Sequence, residues 1–156
     1  MLKIVKNVLK PICVIWSYVY TPKFAGKMGI LLDVAYTLWV SRTYRQCDGI
    51  ISRGTFITGT KYISLSEGAH ICKGARLETH DHFLGVNYTP EIVIGKKCRI
   101  GHGTHITSII GVKIGDFTNI GDRCLISDNN HGNFAKDSYT YNNHPTIPDV
   151  FLLSEM

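Results

Sequence analysis

The chain has 156 residues, one domain's worth, which excludes a large multidomain machine; 44% hydrophobic against 19% charged residues excludes wholesale disorder. The formal net charge of +5 is uneven: residues 1–48 hold seven Lys and Arg against Asp33 and Asp48, while residues 49–156 balance ten against ten. That distribution argues against a nucleic-acid surface spread over the fold. Five Cys with no Cys-x-x-Cys pair fit a reducing compartment better than a disulfide scaffold.

Residues 1–20 place Lys3, Lys6 and Lys10 before an apolar stretch from Pro11 to Tyr20. This imitates a signal peptide, but no small-x-small cleavage site follows, and about 18 uninterrupted apolar residues would be needed to span a bilayer. A second stretch, Met28 to Val40, is apolar apart from Asp33 and predicts a helix of about three turns. Two readings of residues 1–40 stand side by side. One is a pair of helices packing on the rest of the protein or on a neighbouring subunit. The other is a basic amphipathic anchor on an anionic membrane face, with Trp16, Tyr18, Tyr20 and Trp39 at the interface.

From residue 49 the pattern changes. Ile or Leu recurs every six residues in blocks: Ile51, Ile57, Ile63; Leu65, Ile71, Leu77; Ile94, Ile100, Ile106; Ile114, Ile120, Ile126. A helix would scatter these positions around its circumference, and one long strand would need the intervening even positions to be apolar as well. Four residues after the key position stands a small or modest side chain: Thr55, Ala69, Ala75, Cys98, Thr104, Thr118, Cys124. Directly after the Ile stands Gly in several blocks (Gly95, Gly101, Gly115, Gly121), which suits a corner where a Cβ would clash. Short strands, regular corners and a narrow interior alternating large with small side chains predict an all-β solenoid. Residues 78–93 keep the period poorly: either Phe83 and Tyr88 continue it or part of the segment loops out.

The stretches IVIGKKCRIGHGTHI and VKIGDFTNIGDRCLIS resemble the hexapeptide-repeat acyltransferases. The resemblance implies a left-handed parallel β-helix of triangular section, three hexads per coil and about four coils over 51–126, assembled as a homotrimer. The break between Ile106 and Ile114 would be a bulge or short loop near an active site. Domain limits follow: an N-terminal basic and apolar helical segment at 1–48, the β-helix at 49–131, an active-site loop and tail at 132–156.

The last hexad runs into Ile126-Ser127-Asp128-Asn129-Asn130-His131-Gly132, which resembles the Ser-Asp-His-Asn-His-Gly segment of sugar O-acetyltransferases that decorate lipopolysaccharide and capsule. By that resemblance the reaction moves an acetyl group from acetyl-CoA, a co-substrate, to a sugar hydroxyl on a glycan acceptor. His131 is the expected general base, because an alcohol needs its proton removed as it attacks and an imidazole is matched to that task near neutrality. Asp128 and Asn130 are expected to orient the imidazole or the sugar, and His105 to line the site. Asp128-Asn129-Asn130 is equally ordinary turn chemistry. Asn129 stands where family members often carry a second His. No residues are assigned to CoA.

The five Cys need no nucleophilic role, and Cys98 and Cys124 read as core. Gly101-His102-Gly103 is similar to part of the zinc site of γ-class carbonic anhydrases, but Thr107 occupies the place of the next His ligand, so no metal is expected. The expected location is the cytoplasm, with inner-membrane contact through residues 1–40 as the second reading; no nucleic-acid partner is expected. Family members resume hexads after the loop and build much of the CoA groove from them, whereas this chain runs to Phe151-Leu152-Leu153-Ser154-Glu155-Met156 without a further repeat. The alternative function is therefore a truncated, non-catalytic β-helix module that trimerises or binds a partner, its apolar tail serving as a cap.

Overall fold

The computed structural model describes residues 2–83, 85–129 and 152–153. It divides into two compact units, Met1–Leu32 and Asp33–Met156.

Two helices come first, α1 (Leu2–Val19) and α2 (Pro22–Val40). The second starts six residues before the apolar stretch that predicts it, and the reason is local. Thr21 caps it, its Oγ1 accepting the N–H of Phe24 at 3.2 Å, and Pro22 takes the first helical position, where a fixed φ and a missing N–H do no harm. Pro11 lies inside α1, where it leaves one carbonyl of the preceding turn without its helical donor. Among the described residues no helix is long and apolar enough to cross a membrane.

The strands then follow in a repeating order. The first three are β1 (Gln46–Cys47), β2 (Ile50–Ile51) and β3 (Phe56–Thr58), followed by β4 (Ile63–Leu65), β5 (His70–Ile71) and β6 (Arg76–Thr79). An antiparallel hairpin intervenes, β7 (His82–Phe83) with β8 (Val86–Asn87). The order resumes with β9 (Ile92–Ile94), β10 (Arg99–Ile100) and β11 (His105–Ser108), then β12 (Val112–Ile114), β13 (Asn119–Ile120) and β14 (Leu125–Ser127). A last strand, β15, is Leu152–Leu153.

Three parallel sheets result: β1-β4-β9-β12-β15, β2-β5-β10-β13 and β3-β6-β11-β14. The chain visits them in rotation, so each circuit lays one strand on each sheet. Ile51 pairs with Ile71 and Ile100 with Ile120, twenty residues on in both cases. Between Ile71 and Ile100 the step is twenty-nine, because the β7–β8 hairpin leaves the circuit and returns. The poorly periodic segment thus loops out, and Phe83 lies in the hairpin rather than in the column.

Register turns the hexad into columns of apolar side chains. Ile51, Ile71, Ile100 and Ile120 stack on one sheet, Leu65, Ile94 and Ile114 on the second, and Leu77 and Ile106 on the third, none more than 7% exposed. Each fully buried Ile or Leu contributes about 2–3 kcal/mol of transfer free energy. Between them Ala69, Ala75, Cys98 and Thr104 are fully or almost fully buried. Ile57, Thr55, Ile126 and Cys124, in the first and fourth circuits, are half-buried.

The glycine that follows the key Ile is required by close approach between circuits. A Cβ on Gly95 would come 2.5 Å from Asp116 Oδ1 and 2.7 Å from the Asp116 nitrogen. The backbone turn itself falls two residues later, at Gly54, Gly68, Gly74 and Gly103, and at Lys97, Phe117 and Arg123, which hold φ between 53° and 61°. Those three side chains adopt a left-handed conformation that ordinarily favours glycine. Across the corner, Asp116 Oδ1 accepts the N–H of Lys96 and Asp122 Oδ1 that of His102, both at 2.7 Å.

The start of the stack is closed by the part of α2 that belongs to the second unit. β2 gives its Ile50 and Ser52 N–H groups to the next circuit, which leaves Ile51 N–H and C=O facing the other way. The Thr37 hydroxyl serves both, accepting from Ile51 N at 2.9 Å and lying 3.2 Å from Ile51 O, which it shares with Asp33 O at 2.8 Å. Asp33 Oδ1 accepts Arg53 N–H at 3.1 Å, at the same corner position that Asp116 and Asp122 serve in later circuits. An open sheet edge is thereby covered. Thr37→Val keeps the shape and leaves the buried Ile51 N–H unpaired, so it is expected to lower unfolding free energy by about 1–3 kcal/mol in denaturant melts. Thr37→Ser restoring most of that loss would identify the hydroxyl as the cause; a Val variant as stable as the parent would contradict it.

Candidate functional site

Of the candidate residues, His105 and Asp128 lie on and beside the third sheet, β3-β6-β11-β14, where strand alternation sends Leu77 and Ile106 inward and their neighbours outward. Register puts Phe56, Arg76, His105 and Leu125 in one outward row and Thr58, Glu78, Thr107 and Ser127 in the next. His105 Nε2 meets Glu78 Oε2 at 2.8 Å, and Arg76 donates to Glu78 Oε1 at 2.6 Å. A carboxylate only accepts, so Nε2 carries the hydrogen and Nδ1 is the proton-accepting atom of the neutral ring. Burial pushes the Glu78 carboxyl up, but the hydrogen bonds from Arg76 and His105 outweigh it and hold the group below the ordinary carboxylate range. The arrangement holds the His105 imidazole on the sheet through its Nε2, which suits a proton-transfer or hydroxyl-binding group.

Asp128 is held by partners of its own. It is 3% exposed, both its oxygens accept from the turn between β11 and β12, and Oδ1 also accepts from the Asn129 amide at 3.3 Å. Oδ2 accepts from Ser108 Oγ at 2.6 Å, Ile110 N at 2.9 Å and Gly111 N at 2.6 Å, and Oδ1 from Ile109 N at 2.9 Å. The two-residue break in the hexads is thus a turn whose three consecutive N–H groups converge on one carboxylate. Burial raises the Asp128 pKa, yet the Ser108 hydroxyl and the three N–H groups more than reverse this and leave it lowered. The same corner recurs earlier, where Thr79 Oγ1 lies 3.0 Å from Gly59 O. Beyond Asp128 the chain turns again, Ser127 Oγ donating to Asn129 O at 2.8 Å.

His105 and Asp128 are therefore held by separate partners, with no hydrogen bond between them among the described residues. His131 and Asn130, the base and a substrate ligand expected from sequence, lie outside the described residues. Glu78 and Arg76 were not legible as site residues.

A second polar pair sits in the first circuits, where Ser52 Oγ and His70 Nε2 are 3.0 Å apart. Burial, then the nearby Arg99 and His102 charges, lower the His70 pKa against an opposing effect of Asp33. A cavity of about 390 Å³ lies at that corner, lined by Asp33, Ser52, Arg53, Gly54 and Lys73, two circuits from His105. His102 is exposed and 3.4 Å from Asp122 Oδ1, and among the described residues no three His, Cys, Asp or Glu side chains converge to hold a metal ion. Burial raises the Cys72 and Cys98 thiols, which disfavours the thiolate that nucleophilic attack needs.

These shifts set a direction for acid stability. Asp33, Glu78 and Asp128 all have folded-state pKa values below the ordinary one, so their contribution is whole above an unfolded pKa of about 4 and is lost as pH falls through the folded values. His70 is also lowered, so it favours the folded state above about pH 6.5 and ceases to as pH falls. Melting temperature is expected to decline first below about pH 6.5 and more steeply below about pH 4. A melting temperature that stays level from neutrality down to pH 3 would contradict these partners.

Comparison with protein-family models, with curated proteins and with solved structures returned no match for this chain.

Proposed function

We propose that the three-sheet stack is a left-handed parallel β-helix of hexapeptide repeats and that the protein is a sugar O-acetyltransferase. In this reading it works as a homotrimer in the cytoplasm, in surface polysaccharide biosynthesis, with acetyl-CoA as donor. The observation that carries the reading is the end of the fourth circuit. A buried carboxylate, Asp128, clamps the 108–111 turn through three N–H groups, and His131 stands three residues after it in the sequence.

In the proposed reaction a sugar hydroxyl oxygen attacks the thioester carbonyl while the neutral His131 imidazole takes its proton. The C–S bond breaks, and the thiolate leaves with that proton as CoA-SH. His105, held by Glu78, lines the acceptor side and offers Nδ1 to a hydroxyl. Asn130 contacts the sugar, and Asp128 acts on the site through the backbone it fixes.

The test is acetyl-CoA binding by calorimetry together with thiol release on a panel of glycans. Saturable binding and glycan-dependent release support the enzyme. No binding at millimolar acetyl-CoA, with a folded trimer in solution, would instead assign the chain to the non-catalytic module.

A further inference from the structure

Helix α1 has two unlike faces. At 100° per residue, Val5, Leu9, Ile12 and Trp16 fall on one side through steps of four, three and four, while Lys3, Lys6, Lys10 and Ser17 gather on another. The apolar side is uncovered: Val5, Leu9, Ile12 and Trp16 are 47%, 48%, 48% and 61% exposed. Tyr18 and Tyr20 are exposed at the helix end. Within the first unit, residues 1–32 contain five Lys and no Asp or Glu, as much positive charge as the net value for the entire chain.

From this juxtaposition we propose that α1 lies flat in the interface of an anionic lipid bilayer, with the Val5, Leu9, Ile12 and Trp16 side immersed and the lysines at the headgroups. The charge selects the occupant. A second copy packed on this face would leave the lysines of both first units with no acid in either unit to pair them, and a nucleic acid would engage the lysines but leave the apolar side in water. An anionic membrane satisfies both faces at once, and Trp and Tyr are the side chains that favour the boundary between headgroup and chain. The length fits a helix lying in the plane: 18 residues, none of it apolar enough to cross. The inference is independent of the acetyl-transfer reading, since it uses only residues 1–32.

The experiment uses the full chain with vesicles of phosphatidylcholine alone and with added phosphatidylglycerol, read by co-sedimentation. Binding is expected on the anionic vesicles, weak binding on the neutral ones, and a decline with added salt. Each lysine near the surface changes the partition about fivefold, so a Lys3→Gln, Lys6→Gln, Lys10→Gln variant should lose on the order of 100-fold. In a Trp39→Phe background the emission of Trp16 should shift to the blue on anionic vesicles. Leu9→Asp with Ile12→Asp should abolish both signals, and because those side chains are exposed the variant folds, as circular dichroism would verify. Equal binding to both vesicle types, unchanged binding by the triple Gln variant, or no vesicle binding overturns the proposal. Self-association lost in the Leu9→Asp, Ile12→Asp variant, without vesicle binding, would assign the face to a second copy.

Discussion

On the proposed acetyl transfer, His131→Ala is expected to lower kcat about 10²–10⁴-fold with KM little changed, the effect that removing a general base would have, since it acts in the transition state and contributes little to ground-state binding. A sugar hydroxyl is almost wholly protonated near neutrality, so without a positioned acceptor its attack must wait for water to take the proton. A second consequence concerns pH. With His131 in place, kcat/KM should rise with pH through an imidazole pKa and then level; in the Ala variant that limb should disappear. His131→Asn, which keeps hydrogen bonding but accepts no proton, should resemble Ala rather than the parent. An unchanged kcat would show that the base lies elsewhere. The first alternative would then be His105, whose Nε2 is bound to Glu78 at 2.8 Å and whose Nδ1 accepts in the neutral ring. His105→Gln would be expected to lower kcat in that case.

The repeat was legible in the sequence because its signal is one of identity at fixed spacing. A narrow interior admits a large Ile or Leu at one place per strand and a small residue near the corner, so the columns through Ile51, Ile71, Ile100 and Ile120 are visible before any pairing is known. What the pairing adds was not legible. Glu78 and His105 are twenty-seven residues apart, a separation set jointly by the circuit length and by the extra chain in the β7–β8 hairpin; no local pattern points from one to the other. Asp128 shows the opposite difficulty. Asp128 and Asn130 read equally well as turn residues or as groups that orient the imidazole or the sugar, and only the approach of Ile109, Ile110 and Gly111 shows what the Asp128 carboxylate touches. Thr37 was missed for a similar reason: a hydroxyl in an apolar helix looks incidental until it is found closing the exposed edge of β2.

Asp128→Ala is expected to lower the unfolding free energy by about 3–5 kcal/mol, because it leaves the Ile109, Ile110 and Gly111 N–H groups and the Ser108 hydroxyl without the acceptor that gathers them in a buried turn. For a chain of this size that corresponds to a fall in Tm on the order of 10 °C. Asp128→Asn separates charge from shape. It retains one oxygen but puts an NH2 group against donors, either at Ile109 or at the trio of Ser108, Ile110 and Gly111, so it should lie between the parent and Ala. Ser108→Ala removes one donor and should lower stability by about 1–2 kcal/mol. The Ser108 and Asp128 effects should also fall short of additivity in a double-mutant cycle, since the two groups are 2.6 Å apart. A substrate-binding role predicts something else: KM raised in Asp128→Asn while Tm is unaltered. If the Asn variant melts with the parent, the turn does not depend on this carboxylate. If it melts early and its kcat and KM follow the folded fraction, Asp128 acts on the site by holding the 108–111 turn, and the contacts to substrate belong to other residues.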